Sequence, residues 1–552
     1  MNWLLIAALL AQIIIPKHSE TVDVVVANVD ITVVDKDGSH VSGLLPEDFE
    51  ILDNGAPLKI TNFSEIQESR SLTPAGFPEA KAPLETPAQP RRIVFLVDNL
   101  SLHPDARKRI FDAARRFLRT SLGPNDEAMI VTCANGMKLR LGFTHDRDDI
   151  EAAFAEMEND VALGGLRVKE IDELRDELLS MDSAPLATGV ARQYATRARG
   201  EVQHTADVMK SVLAWLGGVP GKKALVLMTE SLPAEPGIEA FRFIATKTNG
   251  MAYTNASQEF YAHDIIDSIT AAANASGTTI YPIYARGLSS IGNALNSRNP
   301  NPIYGGYRGD FNGTPGRLLH QGVMPTLADA MMIDKDAFET TKGSLDELAI
   351  ATGGFASTGG ENFDRIFTDI ASDLGSYYSI GYHPSASPKH VLTVRMKNPQ
   401  WTARARQEVI NKSDRERAVD LVTGALFEKN VHNDLGVTLH FGAKTLDGKK
   451  KARMPLSIRI PIEKLTLLQN KAKFDIHLRV ADQTGGLSQT ADATRELTVS
   501  EADLGTLHGK FYTFQVELVA EQRKLRVAAA VTDVQGAVTS IAVQDVDLSV
   551  SK

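Results

Sequence analysis

The chain has 552 residues, of which 43% are hydrophobic and 23% charged, and its net charge is −10. At roughly 100–200 residues per domain, this length predicts about three to five domains. The acidic balance excludes the basic surface that nucleic-acid binding needs, and the single cysteine, Cys133, excludes an intrachain disulfide.

The first 18 residues are predicted to be a signal peptide or an N-terminal anchor. Residues 3–15 are apolar except for Gln12, and Pro16-Lys17-His18 follows. This run is too short to span a bilayer, but it has the length of the apolar core of a signal peptide. We therefore expect an exported protein, in the periplasm, the cell envelope or outside the cell. Membrane contact is expected only through this segment, if it stays uncleaved.

Residues 19–66 are predicted to form a small sandwich-like β domain. Val29, Ile31 and Val33 alternate with period two, and Asp37-Gly38 and Asn54-Gly55 are tight-turn signals between apolar runs. A short helical corner is expected between these turns. Residues 67–91 are rich in proline and have no apolar period, so they are predicted to be a semi-extended linker.

From Arg92 to residue 384 the pattern predicts strands that alternate with helices. Residues 93–97 and 223–228 are almost continuous apolar runs, which is typical of strands buried on both faces of a parallel sheet. Alternation at this spacing implies βαβ units and a doubly wound sheet. Residues 377–382 are expected to close this α/β unit as its last strand.

Two insertions are expected within the unit, and more β structure after it. Residues 160–217 carry two long helices with charges of both signs, predicted to be a solvated pair packed on the domain. Residues 287–340 begin with a long irregular loop, rich in Gly, Asn and Pro, that contains Tyr304, Tyr307 and Phe311. A β extension at 385–412, a short helix at 413–426 and a second sandwich within 413–552 complete the chain. The predicted fold class is α/β: a doubly wound, mostly parallel, Rossmann-like sheet flanked by N- and C-terminal β-sandwich-like domains.

Two carboxylates are predicted at the ligand-binding edge of the parallel sheet. Asp98 ends the first strand of the α/β unit, and Glu230 follows the strand at 223–228. Ligands of open α/β sheets bind beyond the carboxyl ends of the strands, so we expect both side chains at one edge. Carboxylate and hydroxyl oxygens that converge there favour a hard cation, Mg²⁺ or Ca²⁺.

The order of these elements resembles the von Willebrand factor type A (VWA) family, and more narrowly the bacterial VWFA-related proteins of the acidobacterial type. The resemblance covers roughly residues 21–410. It implies a VWA fold with an adhesion-type metal site. The stretches that carry it are Val41-Ser42-Gly43-Leu44, Pro46-Glu47-Asp48-Phe49-Glu50-Ile51, Asp53-Asn54-Gly55, Gly221-Lys222-Lys223-Ala224-Leu225-Val226-Leu227, Ile280-Tyr281-Pro282-Ile283-Tyr284-Ala285-Arg286-Gly287-Leu288, Leu348-Ala349-Ile350-Ala351-Thr352-Gly353-Gly354 and Tyr377-Tyr378-Ser379-Ile380-Gly381-Tyr382-His383-Pro384.

The VWA metal signature, Asp-x-Ser-x-Ser after the first strand, is only partly present. Asp98 matches the aspartate, but Leu100 and Leu102 stand where the resemblance implies serines, and Ser101 is out of register. Leucine side chains cannot bind a hard cation, so the site is expected to be degenerate.

The remaining ligand positions of the family are also altered or ambiguous. Glu230 stands in place of the aspartate that follows the fourth strand, and the family's threonine corresponds either to Thr205 or to Thr188. No cofactor is expected, and Mg²⁺ or Ca²⁺ would bind weakly at most. The candidate metal ligands are Asp98, Ser101, Thr205 and Glu230.

No sequence motif points to an enzyme. The chain has no His-Glu-x-x-His pair for zinc and no Gly-x-Ser-x-Gly elbow for a serine hydrolase, and Cys133 lies in an apolar run typical of a buried residue. The histidines His103, His145, His204 and His263 are interpreted as surface or capping residues. We therefore expect an envelope protein that acts as a protein-binding, adhesion or scaffold module and is not an enzyme. The alternative is an extracytoplasmic hydrolase with an unrecognised active site.

Overall fold

The computed structural model describes residues 27–67, 70–74, 84–87, 89–181, 184–248, 255–286, 327–359, 362–385, 387–429, 431–448 and 450–549. These residues form a mixed α and β structure in which one sheet combines parallel and antiparallel strands and the other sheets are antiparallel. None of the described helices is both long enough and apolar enough to cross a membrane.

The N-terminal part of the chain is β structure, as the alternation of its apolar residues predicts. The predicted helical corner is a 3-10 turn at Pro46–Asp48. The strands are β1 (Ala27–Val34), β2 (Phe49–Asp53), β3 (Ala56–Pro57), β4 (Ile60–Gln67), β5 (Arg70–Thr73) and β6 (Leu84–Pro87).

A five-stranded sheet with helices follows. Its strand order is β11-β10-β7-β8-β9, and only β9 is antiparallel to its neighbour. The strands are β7 (Arg91–Asp98), β8 (Glu127–Cys133), β9 (Met137–Thr144), β10 (Lys222–Thr229) and β11 (Thr278–Tyr284). The helices are α1 (Pro104–Ser121), α2 (Arg147–Glu158), α3 (Gly164–Ser180), α4 (Ala184–Leu216), α5 (Ile238–Thr248), α6 (His263–Ser276), α7 (Leu327–Ala351) and α8 (Phe363–Gly375).

Both faces of this sheet are covered, because successive side chains of a strand point in opposite directions. Val94 and Leu96 of β7 join an apolar core with residues of α4, α6 and α7. Phe95 and Val97 join a second core with residues of α1, α2 and α8. Burial on both sides is why the strands are continuous apolar runs rather than alternating ones.

The strand that the sequence assigns to the end of the α/β unit lies elsewhere. β12 (Ser376–Tyr382) pairs with β1 and with β4, in the order β14-β1-β12-β4-β5-β6. Tyr378, Ile380 and Tyr382 share a core with β1 and β4. The prediction was therefore wrong about the partner of β12, which pairs with antiparallel strands of the N-terminal sheet. The later strands are β13 (Lys389–Met396), β14 (Thr402–Ala405) and β15 (Glu408–Ile410).

The first sandwich is therefore larger than the predicted 19–66 domain. A second sheet of order β15-β13-β2-β3 packs on it, so the expected β extension at 385–412 belongs to this sandwich. The predicted linker at 67–91 was also wrong in part, because β5 and β6 extend the first sheet within it. Pro87 ends β6, the edge strand, where a missing N–H is tolerated.

The predicted insertions differ from the structure in a similar way. α3 and α4 are the two expected helices, but Ala206, Met209 and Leu213 of α4 are completely buried against the sheet. α4 is therefore a covering helix of the α/β unit rather than a solvated insertion. Of the 287–340 segment, residues 287–326 lie outside the described residues, including Tyr304, Tyr307 and Phe311, and the rest begins α7.

The C-terminal region begins with α9 (Asp414–Ala425), whose capping box joins Ser413 and Glu416. Two four-stranded antiparallel sheets then pack around one core, as expected for a second sandwich. In one sheet β18 pairs with β16, β17 and β21, and the other has the order β20-β19-β22-β23. The strands are β16 (Thr438–Phe441), β17 (Thr445–Asp447), β18 (Lys451–Pro461), β19 (Lys471–Asp482), β20 (Ala491–Thr498), β21 (Phe511–Glu521), β22 (Lys524–Asp533) and β23 (Val538–Asp547).

Candidate functional site

Asp98 and Thr229 end the neighbouring parallel strands β7 and β10. Leu96 and Leu227 are partners in the register of these strands and belong to the same apolar core. The next residues on that face, two positions further along each strand, are Asp98 and Thr229. Thr229 Oγ1 donates a hydrogen bond of 2.7 Å to Asp98 Oδ2, and both residues are almost completely buried.

Ser101 reaches the same carboxylate, although the sequence puts it out of register with the family pattern. The backbone turns after β7, since the amides of Ser101 and Leu102 both donate to the Asp98 carbonyl. Ser101 Oγ then donates to Asp98 Oδ2 over 2.6 Å and accepts the Glu230 amide over 2.9 Å. The turn therefore brings Ser101 into the site.

Glu230 lies at the same edge of the sheet as Asp98, as predicted, but it is bound to a helix N-terminus. Its carboxylate accepts the His103 amide at 2.9 Å and contacts His103 Nδ1 at 2.6 Å. His103 is the N-cap residue of α1, where a negative charge stabilises the helix dipole. We refer to Asp98, Ser101, His103, Thr229 and Glu230 as the top-face cluster.

The structure pairs Thr205 with a different residue. Thr205 lies on α4 and is hydrogen-bonded to the Cys133 thiol, which is the register partner of Asp98 on β8. Burial and the nearby Asp98 carboxylate raise the pKa of Cys133, so this cysteine is a neutral thiol at physiological pH. A buried neutral thiol is a weak nucleophile, since the thiolate is the reactive form. Thr188, the other candidate, lies in the first turns of α4 and is half-buried.

A small cleft opens beside the top-face cluster. Ser101, His103 and Glu230 form one side, and Tyr194 and Glu239 lie on another, where Tyr194 Oη donates to Glu239 Oε1 over 2.7 Å. Its internal volume is about 50 Å³. Small-molecule sites usually enclose about 300–1,000 Å³, so the described part of this cleft is smaller than a typical small-molecule site.

The polar atoms of the cluster are hydrogen-bonded to one another, and this affects how readily they could bind a divalent cation. Asp98 Oδ2 accepts the hydroxyls of Ser101 and Thr229, and Asp98 Oδ1 accepts the Leu100 amide at 3.1 Å. A cation about 2.0–2.5 Å from Asp98 Oδ2 would compete with those hydrogen bonds for the same oxygen. Within the described ranges, no group of three or more His, Cys, Asp and Glu side chains is arranged to hold a metal. The carboxylate and hydroxyl oxygens of the cluster are thus engaged with one another and with backbone amides.

Sequence reasoning missed two members of the cluster. Thr229 was overlooked because only the carboxylate that follows it was considered, yet alternation along β7 and β10 puts its side chain beside Asp98. His103 was interpreted only as a surface or capping residue, and the structure places it at the N-cap of α1, just before Pro104, the first helical residue. Its capping interaction depends on Glu230, which is distant in sequence.

No protein-family model and no curated protein matches the chain. Solved structures that it resembles include an aerotolerance-related membrane protein from Bacteroides fragilis, at 12% identity and a TM-score of 0.23, covering 51% of this chain and 98% of that one. Another is proximal thread matrix protein 1 from the mussel byssus, with a zinc-occupied MIDAS motif, at 10% identity and a TM-score of 0.23, covering 54% and 49%. A Bacteroides uniformis β-glucuronidase 2 mutant has 13% identity and a TM-score of 0.15, covering 20% and 13%. The chain thus spans about half of the mussel protein and a small part of the glucuronidase. TM-scores this low do not establish a shared fold.

Proposed function

We propose that this chain is an exported protein-binding or scaffold module of the cell envelope, built on a VWA-like, doubly wound α/β domain. Its metal site is degenerate, and it binds its partner without a divalent cation. The observation that carries this proposal is the Asp98 carboxylate, which already accepts the hydroxyls of Ser101 and Thr229.

The arrangement of the sheet supports a VWA-like domain. Four parallel strands carry helices on both faces, and the polar cluster lies beyond their carboxyl ends, where open α/β sheets bind ligands. The side chains of Asp98 and Glu230 lie at this one edge. Opposite edges would have been incompatible with a VWA domain.

Metal-independent binding is supported by the state of Glu230. Its two oxygens contact the backbone and the ring of His103, and its side chain is only 3% exposed. A carboxylate held in this way stabilises the loop and the start of α1 instead of presenting an oxygen to a cation. Partner contacts are proposed to involve the flanking β sandwiches and the 287–325 loop, which lies outside the described residues.

A hydrolase is the weaker alternative. A serine nucleophile needs a base to accept its proton and a pocket for the acyl group. Ser101 Oγ donates to the Asp98 carboxylate, but it also accepts the amide of Glu230, and the cleft that it borders has a volume of only about 50 Å³, which is small for an acyl pocket. A binding or scaffold role accounts for this buried arrangement more simply than catalysis does.

Export is proposed from the apolar segment at residues 3–15, which lies outside the described residues. Cell fractionation tests it, together with N-terminal sequencing of the purified protein. We expect the protein in the periplasmic, envelope or extracellular fraction. A cytoplasmic protein that retains Met1 would contradict export.

Titration calorimetry with Mg²⁺ and Mn²⁺ tests the metal-independent site. The wild-type chain is compared with Asp98→Ala, and we expect no saturable binding at micromolar metal in either protein. The matched measurement is a pull-down from envelope extract with and without EDTA, in which the captured partner should be unchanged. Micromolar affinity that disappears in Asp98→Ala, or a partner lost in EDTA, would contradict the proposal.

A further inference from the structure

The last long strand of one C-terminal sheet, β21, has an unpaired outer edge. β21 pairs along its whole length of 11 residues with β18, and no described strand pairs with its other side. Such an edge is a template for another strand, and proteins usually protect it with proline, lysine or a bulge. β21 contains neither proline nor lysine, and its register with β18 is uninterrupted. Its two charged residues are Glu517, which forms an ion pair with Arg453 of β18, and Glu521 at its end.

The backbone groups that face outward follow from the pairing with β18. The Gly442 amide donates to the Pro455 carbonyl, so this carbonyl points away from β21. Pro455 therefore makes no backbone hydrogen bond to its register partner, Glu517. Glu517 therefore directs its own N–H and C=O away from β18. The amide of Gln522, directly after the strand, donates to the Lys450 carbonyl. The backbone groups of the even-numbered residues therefore point towards β18. The odd-numbered residues from 511 to 519 thus present their N–H and C=O groups at the free edge, while the Glu521 carbonyl accepts the Arg523 amide at 2.8 Å.

The apolar core is also open along this edge. On β18, Leu456 and Ile458 are at most 1% exposed, whereas their partners on β21, Val516 and Phe514, are only partly buried. All inward-facing residues of β21 share this partial exposure, and they are Tyr512, Phe514, Val516, Leu518 and Ala520. A strand added beside β21 would cover this open side of the core as well as the free backbone groups.

The sequence of β21 is complementary to itself in antiparallel orientation. The outward groups belong to odd-numbered residues, so odd residues must pair with odd residues. The register that pairs all 11 residues places Val516 on the two-fold axis, Phe514 opposite Leu518, and Gln515 opposite Glu517. No like charges face each other in it. A register centred on Glu517 would oppose two carboxylates directly, which is destabilising.

We propose that two copies of this chain associate through antiparallel pairing of β21, which joins their C-terminal sheets into one continuous sheet. The interface lies on the C-terminal sandwich and uses no residue of the top-face cluster. It is thus independent of the proposed function, and either can fail without the other.

Sedimentation velocity on the full chain, over a range of micromolar concentrations, tests the association. We expect a concentration-dependent dimer of the wild-type protein. Gln515→Pro removes an outward N–H without removing a bond to β18, and proline is tolerated at such an edge position. This variant should weaken the dimer by about tenfold or more, whereas the matched Gln515→Ala variant, which keeps the N–H, should dimerise like wild type. A chain that stays monomeric, as it would if β21 took another partner or another segment of the chain, overturns the proposal.

Charge variants at the same exposed position test the register, and they remain informative if Gln515→Pro fails to fold. Gln515→Lys faces Glu517 of the second copy twice in a symmetric dimer, and Gln515→Glu creates two like-charge contacts. We expect the dissociation constant to fall by about threefold to tenfold in the first variant and to rise by a similar factor in the second. A dimer that is insensitive to both charges and to Gln515→Pro uses another surface and overturns the proposal.

Discussion

Replacing Thr229 with valine tests whether the top-face cluster is held together as its geometry indicates. Thr229 is completely buried, and valine keeps its shape while removing the hydroxyl that donates to Asp98 Oδ2 over 2.7 Å. Thr229 Oγ1 also accepts a hydrogen bond from the Ser231 amide over 3.1 Å. The substitution therefore removes one of the hydroxyl donors to the carboxylate, while Ser101 stays, and it also removes the acceptor of a backbone amide.

The expected cost follows from the charge of the acceptor. A hydrogen bond to an ionised group contributes about 1.5–3 kcal/mol, roughly twice the value for two neutral partners. Valine has nearly the shape of threonine, so the substitution leaves no cavity and adds no cavity cost. We expect Thr229→Val to lower the free energy of unfolding by about 2 kcal/mol. For a unit of this size the Tm should fall by about 4 °C.

Differential scanning calorimetry of the full chain measures this effect, and Thr270→Val is the matched control. Thr270 lies on α6 in the same α/β unit, and its buried Oγ1 has no hydrogen-bond partner in the described part of the chain. Removing that hydroxyl should leave the Tm unchanged or raise it slightly, because an unsatisfied polar group is lost. If Thr229→Val costs no more than Thr270→Val, the Asp98 carboxylate is not stabilised by Thr229, and the argument for a self-satisfied site fails.

Two further substitutions probe the packing and the pH response of the molecule. A Cβ on Gly164 would lie 2.2 Å from the backbone oxygen of Ser101, so Gly164→Ala should clearly lower the Tm. The control Gly165→Ala should not lower it, because a Cβ there would have nothing within 4 Å. Equal melting temperatures of the two variants would contradict the observed loop contact. Burial, with a smaller effect of Glu127, raises the pKa of Glu428 from 4.5 to about 7. The pKa of Glu428 is higher in the folded chain than in the unfolded chain. The contribution of this carboxyl group to the free energy of unfolding is therefore fully present below about pH 4.5 and is lost as the pH rises towards 7. Glu428→Gln should therefore flatten the decline of Tm between pH 5 and pH 8, and a profile identical to wild type would refute the burial of this carboxyl.

The strands of the α/β unit could be predicted because burial on both faces demands long apolar runs. Residues 93–97 and 223–228 have this pattern, and both lie in the parallel part of the sheet. The position of Asp98 and Glu230 at one edge followed from the same reasoning, since the carboxyl ends of parallel strands meet at one edge. The partner of β12 could not be predicted in this way. Its residues suit an antiparallel strand, but nothing local to it specifies β1 and β4, which lie more than 300 positions earlier.

The site itself was only half predictable. The residue types pointed to Asp98, Ser101 and Glu230, whereas the assignment of Thr205 relied on matching a family pattern. In the structure Thr205 is hydrogen-bonded to Cys133, the register partner of Asp98. Spacing along the chain placed Ser101 out of register with the family pattern, and only a kink in the backbone after Asp98 could bring it into the site. The turn after Asp98 changes the direction of the Ser101 side chain, and such a turn is selected by the loops packed against it.

By itself, the sequence determined the classes of structure along this chain: two β regions around an α/β unit, with carboxylates at the ends of two parallel strands. These features depend on periodicity and on burial, which are properties of short stretches of chain. Only the tertiary structure decided which strands pair, that Thr229 and Ser101 satisfy Asp98, and that Glu230 binds the start of α1. Hydrogen bonds between buried groups depend on distances of about 3 Å between residues far apart in sequence. Those distances exist only after the whole core has packed.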